Sequence, residues 1–318
     1  MKGIQTLAER LITNIERVIV GKRTSVQLVT VGLLCQGHIL IEDVPGVGKT
    51  MLARSLARSL GLSFNRVQCT PDMLPSDITG VYIYNQVKEV FEYRPGLLMA
   101  NVVLADEINR ATPKTQAALL EAMQERQVTV NGVTHPIPEP FLVLATQNPI
   151  EYEGTFPLPE AQLDRFLIKV RLGYPGMKEE IAVIENQALR HPFETLEPVS
   201  DEEEILAAQG KIKQVYLADS LKKYLVEIVQ STRALSDVYL GASPRGSLSL
   251  ARAAQAYAAM QGRDYVLPDD IKLLAGPTLG HRVILSSGAR LQNRDAGDII
   301  KEVLNKIRVP GGAFQDGR

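Results

Sequence analysis

The feature that most constrains this chain is an apolar run that leads into a Gly- and Pro-containing loop and then a helix. Residues 38–42 are typical of a short buried strand, residues 43–48 of a loop, and residues 49–60 of an Ala- and Leu-rich helix. A strand, a Gly-rich loop and a helix that opens with Lys-Thr are the arrangement of a phosphate-binding loop. We therefore predict a nucleotide-binding α/β domain organised around this loop.

Each part of the loop has a physical role in holding phosphate. Gly46 and Gly48 let the backbone curl so that successive amides point at one anion, and the helix N-terminus adds partial positive charge. Lys49 is placed to reach the phosphates of ATP or ADP, and the Thr50 hydroxyl is placed to ligate Mg²⁺. Asp43 departs from the usual pattern, in which a glycine opens the loop. The predicted nucleotide-binding residues here are Asp43, Val44, Pro45, Gly46, Val47, Gly48, Lys49, Thr50 and Met51.

Two later apolar runs end in polar side chains that suit ATP hydrolysis. One run ends in Asp106 and Glu107, and the other leads to Asn148. Asp106 can hold Mg²⁺ through its water shell, and Glu107 can accept a proton from an attacking water. Asn148 can orient that water beside Glu107. A metal-holding Asp next to a base Glu predicts an ATP hydrolase.

Taken together, residues 38–171 resemble the AAA+ ATPases, and motifs along most of the chain resemble the MoxR family within them. The motifs are residues 93–96 (Tyr-Arg-Pro-Gly), 104–111, 145–149, 158–166 and 241–245 (Gly-Ala-Ser-Pro-Arg). We expect an α/β fold with a parallel sheet of about five strands, followed by a small all-α lid domain. The nucleotide is expected at the carboxyl ends of the strands, between the two domains.

The resemblance also implies roles for basic residues and for one turn. Arg165, at a predicted helix–strand junction, is expected to reach the neighbouring subunit's ATP site, although a surface salt bridge is the alternative. Arg245, in the first turn of a lid helix, is expected to contact the γ-phosphate. Arg110 is a second basic residue near the site whose role stays open. In AAA+ relatives the turn at Val20 and Gly21 lies against the adenine, although a plain helix–helix connection fits the sequence equally well.

The chain divides into segments with different patterns. An amphipathic helix opens it, and an alternating pattern around Asn131-Gly132 predicts a hairpin just before the Asn148 strand. After residue 176 strand signals give way to helical ones. The predicted segments are residues 1–175 for the core, about 78–95 for an insert within the second helix, about 127–138 for the pre-sensor hairpin, 176–308 for the lid and 309–318 for a flexible tail.

Composition limits which cellular compartment and which classes of partner are expected for this chain. The net charge is −1, so no global field favours nucleic acid or an anionic membrane. No apolar run is long enough for a membrane helix, and the N-terminus lacks the apolar centre of a signal peptide. Cys35 and Cys69 fit core thiols of a reducing compartment, and the four histidines are scattered. We expect a cytoplasmic protein with no His/Cys metal site, no membrane insertion and no nucleic-acid binding.

The expected function is Mg²⁺-dependent ATP hydrolysis coupled to remodelling or maturation of a protein partner. The resemblance implies a homo-oligomer, expected to be a hexamer, and a separate partner protein that carries a von Willebrand factor A domain. Three alternatives stay open: the ATPase subunit of a metal chelatase, a nucleic-acid motor, and a slow nucleotide switch that scaffolds partners. The balanced charge and the absence of a recognised DNA-binding domain argue against the motor.

Overall fold

A parallel five-stranded sheet is the centre of this computed structural model, which describes residues 1–148, 154–188 and 191–310. The strands are β1 (Ile39–Glu42), β2 (Phe64–Gln68), β3 (Gly80–Asn85), β4 (Val90–Pro95), β5 (Val102–Asp106), β6 (Gln127–Val130), β7 (Val133–Pro136), β8 (Leu142–Gln147), β9 (Ile168–Val170), β10 (Val238–Leu240) and β11 (Ile284–Leu285). Five of them pair in parallel in the order β2-β5-β8-β1-β9. This sheet confirms the predicted α/β core.

Helices surround the sheet and make up most of the C-terminal region. They are α1 (Lys2–Glu16), α2 (Arg23–Leu34), α3 (Lys49–Ser59), α4 (Pro75–Thr79), α5 (Pro113–Glu125), α6 (Glu160–Leu163), α7 (Met177–Gln187), α8 (Glu202–Ile212), α9 (Asp219–Ser231), α10 (Pro244–Met260), α11 (Pro268–Leu279), α12 (Ser287–Leu291) and α13 (Ala296–Lys306), with 3-10 turns at Ile108–Arg110 and Pro192–Thr195. None of the helices in the described ranges is long and apolar enough to cross a membrane. From residue 311 onward the predicted tail lies outside the described residues.

Alternate residues of the central strands enter two apolar clusters, one on each face of the sheet. On β1, Ile39 and Ile41 join the cluster that contains α1, α2 and α3, whereas Leu40 joins the cluster that contains α5. Every residue of β5 is buried. A strand covered on both faces has no polar side to show, which explains the continuous apolar runs in the sequence.

The parallel sheet has two chemically distinct edges. The strands β1, β5 and β8 all end at one edge, here called the carboxyl edge, and all begin at the opposite edge, here called the amino edge. A strand of four residues, such as β1, separates the two edges by about 13 Å, since each residue advances the chain by about 3.3 Å. A side chain at one edge is therefore remote from a site at the other.

Two hairpins outside the main sheet are joined by a stack of rings. The β3–β4 hairpin occupies the predicted insert, and the β6–β7 hairpin turns at Asn131 and Gly132, whose φ angles are 50° and 79°. Such positive φ angles are what a two-residue Asn-Gly turn requires. The Tyr93 ring lies parallel to that of His135 at 3.7 Å between centroids, and Tyr82 hydrogen-bonds to His135 Nε2 at 3.2 Å. These contacts hold the two hairpins together.

The part of the lid that contains α10 and Arg282 packs against the amino edge of the sheet. Arg282, whose side chain is 2% exposed, donates to Asp164 Oδ1 at 2.7 Å and to the main-chain oxygen of Phe166 at 2.6 Å. Ser243 donates to the other oxygen of Asp164 at 2.9 Å. Besides its helices the lid contains the short antiparallel pair β10–β11. Strands of two and three residues are too short to leave a periodic signal in the sequence.

Candidate nucleotide site

A cavity of about 370 Å³ opens at the carboxyl edge of the sheet, where the loop after β1 meets the ends of β5 and β8. Its lining residues are Pro45, Gly46, Gly48, Lys49, Thr50, Met51, Arg66, Asp106, Glu107 and Asn148. The sequence predicted this convergence of loop, carboxylates and amide. All of these lining residues belong to the core, so a site between core and lid stays a prediction.

The loop itself has the backbone shape that anion binding needs. Gly46 and Gly48 adopt φ angles of 83° and 91°, in the left-handed region that favours glycine. Gly48 caps α3, whose first residue is Lys49, so free amides of the helix N-terminus face the cavity. The Lys49 ammonium donates to the main-chain oxygen of Asp43 at 2.8 Å, which holds it across the loop. Loop, helix end and ammonium together form a site for phosphate.

The Asp43 side chain does not line this cavity, although its position in the loop predicted a nucleotide contact. Its Oδ2 accepts hydrogen bonds from the amides of Leu172 and Gly173 at 2.6 and 2.7 Å, and its Oδ1 accepts from the amide of Val44 at 2.9 Å. Leu172 and Gly173 follow β9 and lead to α7. The carboxylate therefore fastens the phosphate loop to the segment that leaves the core. Val44 and Val47 are also absent from the cavity lining, and Val47 packs against the core.

Asp106 is held in place from both sides at the end of β5. Its Oδ1 accepts from the hydroxyl of Thr146 at 2.6 Å, and its Oδ2 accepts from Arg66 at 2.6 and 3.1 Å. The carboxylate is 8% exposed and opens onto the same cavity as the Thr50 hydroxyl. Carboxylate and hydroxyl oxygens are ligands that Mg²⁺ accepts. The donor set therefore fits the predicted metal position.

Glu107 occupies a strained backbone position with a fixed carboxylate. Its φ angle of 56° is uncommon for a residue other than glycine, and such positions cluster at functional sites. Its amide donates to Thr146 Oγ1 at 2.8 Å. Its Oε2 accepts from Gln68 at 3.2 Å and from Arg110 at 3.1 Å. Arg110 thus contacts the carboxylate of its own chain.

Three residues without a role predicted from the sequence bind the carboxylates of the cleft. Arg66 and Gln68 lie two residues apart on β2, so their side chains point to the same face, and Thr146 lies near the end of β8. The sequence does carry a signal for these residues, because their polar side chains interrupt apolar runs close to the carboxyl ends of parallel strands. Ligand sites collect at those ends, so such residues are candidates for a site.

The residue after β2, Cys69, is a neutral thiol. It is 2% exposed, and burial raises the pKa of its thiol to about 12, with the nearby charges of Asp106 and Glu107 acting in the same direction. Burial likewise raises the pKa of Cys35 to about 12. Both cysteines are free. Cys69 has the character of the core thiol that the sequence predicted, whereas Cys35 is half-buried and lines a cavity at the amino edge.

Arg165 and Arg245 lie together, but at the amino edge. Both line a second cavity of about 220 Å³, which also includes His38 just before β1, Leu167 just before β9, and Arg252. Arg165 lies at the amino edge because it comes just before β9, which runs parallel to β1 and begins at that edge. Arg282 and Ser243 fasten the start of α10 to Asp164, away from the cleft of the same chain, and the contact of Arg245 with a γ-phosphate stays a prediction.

The turn between α1 and α2 lies beside the phosphate loop. The side chain of Ile19 comes within 3.8 Å of the position that a Cβ on Gly48 would occupy. Gly21 has a φ of 72°, and a Cβ there would collide with the Glu179 carboxylate at 2.0 Å. Val20 is half-buried, and neither Val20 nor Gly21 lines the nucleotide cavity. A contact of this turn with adenine stays a prediction.

Known proteins match both parts of the chain. The model of the "ATPase family associated with various cellular activities (AAA)" matches residues 38–168, and that of the AAA lid domain matches residues 230–303. The Bacillus subtilis protein YeaC is 55% identical over 97% of each chain. Chaperone MoxR1 of Mycobacterium tuberculosis is 43% identical over 95% of this chain and 82% of that protein. A crystal structure from Cytophaga hutchinsonii, 41% identical, matches 96% of both chains with a TM-score of 0.90. The chain therefore belongs to the MoxR family of AAA+ ATPases and is an ATP hydrolase.

Proposed function

We propose that this ATPase works as a closed ring in which arginines of one subunit complete the cleft of the next. The supporting observation is the position of Arg165 and Arg245 at the amino edge, whereas Lys49 and Asp106 line a cleft at the carboxyl edge. Neither arginine can reach its own cleft across the sheet. A head-to-tail contact brings the amino edge of one subunit to the carboxyl edge of another, and repeated contacts of this kind close into a ring, here a hexamer.

Within the cleft, different groups bind the phosphates and the metal ion. The amides at the start of α3 and the Lys49 ammonium bind the phosphates of ATP. The Thr50 hydroxyl and the Asp106 carboxylate hold Mg²⁺, and Thr146 and Arg66 keep that carboxylate oriented. When bound, the metal ion neutralises charge that develops on the transferred phosphoryl group. The arginines from the neighbour add positive charge at the same group.

Glu107 and Asn148 act on the attacking water. Glu107 accepts a proton from the water, and Asn148, which is 5% exposed and lines the cleft, orients it. The hydrogen bonds from Gln68 and Arg110 to Glu107 Oε2 compete with water for that oxygen. Turnover therefore requires these bonds to loosen as the cleft closes around its substrate.

We further propose that hydrolysis drives remodelling or maturation of a protein partner, as the name of Chaperone MoxR1 suggests for that relative. The support from this chain is an apolar surface on the β3–β4 hairpin, where Val87 is 94% exposed and Phe91 is 69% exposed. Exposed apolar patches of this kind mark interaction sites. The expected partner is a separate protein with a von Willebrand factor A domain. Affinity capture with a Glu107→Gln variant, which binds ATP without hydrolysing it, tests this expectation.

The ring is tested by mixing two inactive variants. An Arg165→Ala subunit keeps Glu107, and a Glu107→Gln subunit keeps Arg165, so an intact site forms wherever the second donates its arginine to the first. In a random equal mixture about a quarter of the contacts are of this kind. We expect the mixture to regain about that share of the wild-type ATPase rate. The same mixing experiment with Arg245→Ala tests the second arginine.

A mixture of Lys49→Ala with Glu107→Gln provides the matched control. Both changes lie in the cleft of the subunit that binds ATP, so no neighbour can repair either one, and we expect no recovery. If subunits exchange and the Arg165→Ala mixture also shows no recovery, Arg165 does not act on a neighbour. The same conclusion follows if a dilute monomer hydrolyses ATP at the full rate.

A further inference from the structure

The helix α7 is exposed to an unusual degree for a helix of a folded domain. None of residues 177–186 is buried, and Met177, Ile181 and Ile184 are 82%, 50% and 67% exposed. Their spacing of four and three residues places them on one face of the helix. An 11-residue helix is marginal in water without packing on that face. We call these three residues the α7 stripe. The helix is expected to be stable only where another surface packs against this stripe.

The position of α7 indicates at which edge of the sheet the covering surface must lie. Three residues separate the start of the helix from Leu172 and Gly173, whose amides donate to Asp43. Glu179 in its first turn packs against Gly21, and Lys22 donates to the main-chain oxygen of Tyr174 at 2.8 Å. These contacts place the start of α7 beside the nucleotide cleft, at the carboxyl edge. This is the edge that a neighbouring subunit must approach to deliver its arginines.

A complementary stripe lies on α10 at the opposite edge. Arg245, Leu248 and Arg252 are all exposed, and their spacing of three and four residues places them on one face of the helix. Leu248 is 63% exposed, and both arginines line the amino-edge cavity with Arg165. The α10 stripe, defined as these three residues, thus combines apolar surface with positive charge.

Two of the three exposed charges that flank the α7 stripe are of the opposite sign, the third being that of Lys178. Glu180 and Glu185 are exposed and lie on either side of Ile181 and Ile184 around the helix. An acidic and apolar face at the carboxyl edge and a basic and apolar face at the amino edge are matched for a head-to-tail contact. Such complementarity favours one orientation and disfavours others.

We propose that the α7 stripe of one subunit packs against the α10 stripe of the next. The inference rests on the proposed ring, and it names the contact that brings Arg165 to the neighbouring cleft. In this arrangement Ile181 and Ile184 pack against Leu248, and Glu180 and Glu185 flank the arginines. A second copy of this chain is the occupant of the exposed face, and the contact that covers α7 also completes the cleft.

Charge reversal tests the pairing. One variant carries Glu180→Arg and Glu185→Arg, a second carries Arg252→Glu, and a third combines all of these changes. We expect each of the first two to raise the concentration for half-assembly at least about tenfold, because like charges then face each other. In the combined variant the position of Arg252 again carries the charge opposite to α7, whereas Arg245 stays positive, so assembly should recover part of the way toward the wild-type range. Sedimentation velocity with ATP measures the assembly.

Controls separate this contact from folding and from the nucleotide site. Glu227→Arg reverses an exposed charge on α9, outside both stripes, and should leave assembly unchanged. Ile184→Ser should weaken assembly, whereas Val226→Ser, also on α9, should not. The affinity of the dilute subunits for a fluorescent ATP analogue should stay the same in every variant, because no cleft residue is altered.

The outcomes distinguish this inference from the proposed function. If the wild-type protein assembles and the reversals leave its assembly unchanged, the pairing of α7 with α10 is wrong while the ring stands. The pairing is also wrong if the combined variant assembles no better than the single-helix variants. If the wild-type protein does not assemble at any concentration, both the pairing and the ring are wrong.

Discussion

The carboxylate of Asp43 can be removed without touching the contact that its backbone makes with Lys49. Lys49 donates to the main-chain oxygen of residue 43, which every substitution keeps, whereas the side chain accepts from Val44, Leu172 and Gly173. Asp43→Ala therefore separates a structural role from a role in phosphate binding. We expect it to destabilise the fold and leave ATP affinity nearly unchanged.

The size of the effect follows from what happens to the three amides. The amide of Val44 belongs to the open loop, where water can replace the lost bond. The amide of Leu172 is buried, and a buried donor left unsatisfied costs about 1–3 kcal/mol. Gly173 is half-buried and adds a smaller amount. We therefore expect Asp43→Ala to lower the free energy of unfolding by about 2–4 kcal/mol.

Urea denaturation and calorimetry test this prediction together. With a denaturant slope of about 3 kcal/mol per molar, the midpoint should fall by about 1 M. Asp43→Asn keeps one acceptor and should fall between the wild type and Asp43→Ala. Asp264→Ala, which removes an exposed carboxylate of the lid, should not shift the midpoint. An unchanged midpoint for Asp43→Ala, or a loss of ATP binding at full stability, would show that the carboxylate serves the nucleotide instead.

Three other predictions concern separate parts of the molecule. Burial lowers the pKa of His38 to about 4, so the folded state binds fewer protons there than the unfolded state does. As pH drops from 6.5 toward 4, His38 should therefore contribute a loss of about 1.4 kcal/mol of unfolding free energy per pH unit, and His38→Gln should reduce the slope by that amount in urea titrations between pH 5 and 6.5. Gln68→Ala removes one of the two hydrogen bonds to Glu107 Oε2, leaving that from Arg110, and should raise basal ATP turnover about fivefold in a steady-state assay, the value of one hydrogen bond. Arg282→Met leaves Asp164 without its buried partner and should cost about 3–5 kcal/mol of stability, measured by urea unfolding.

The nucleotide cleft could be predicted from the sequence because its signals are local. Gly46 and Gly48 mark a loop that needs positive φ, and Asp106 and Glu107 end a strand whose residues are all buried. Parallel strands then bring their carboxyl ends together without further information. The Asn131-Gly132 hairpin was predictable for the same reason, since two adjacent residues determine its turn.

The placement of the lid could not be predicted in this way, because it depends on contacts between distant residues. Arg282 reaches Asp164 across 118 positions of the chain, and nothing in the local pattern of either residue indicates the other. The same holds for Asp43, whose partners at Leu172 and Gly173 lie 129 and 130 positions away. A motif locates a residue such as Arg245 on a helix, but only packing decides which edge of the sheet that helix meets.

The stacked rings of Tyr93 and His135 give two hairpins from separate parts of the chain a fixed spacing. The β6–β7 hairpin leads into β8, which ends beside Asn148 in the nucleotide cleft. We expect a displacement of β8 at the cleft to move the two hairpins together, because Tyr93 and His135 join them. A protein that binds both hairpins would lose less conformational entropy on binding than it would with two independently moving loops.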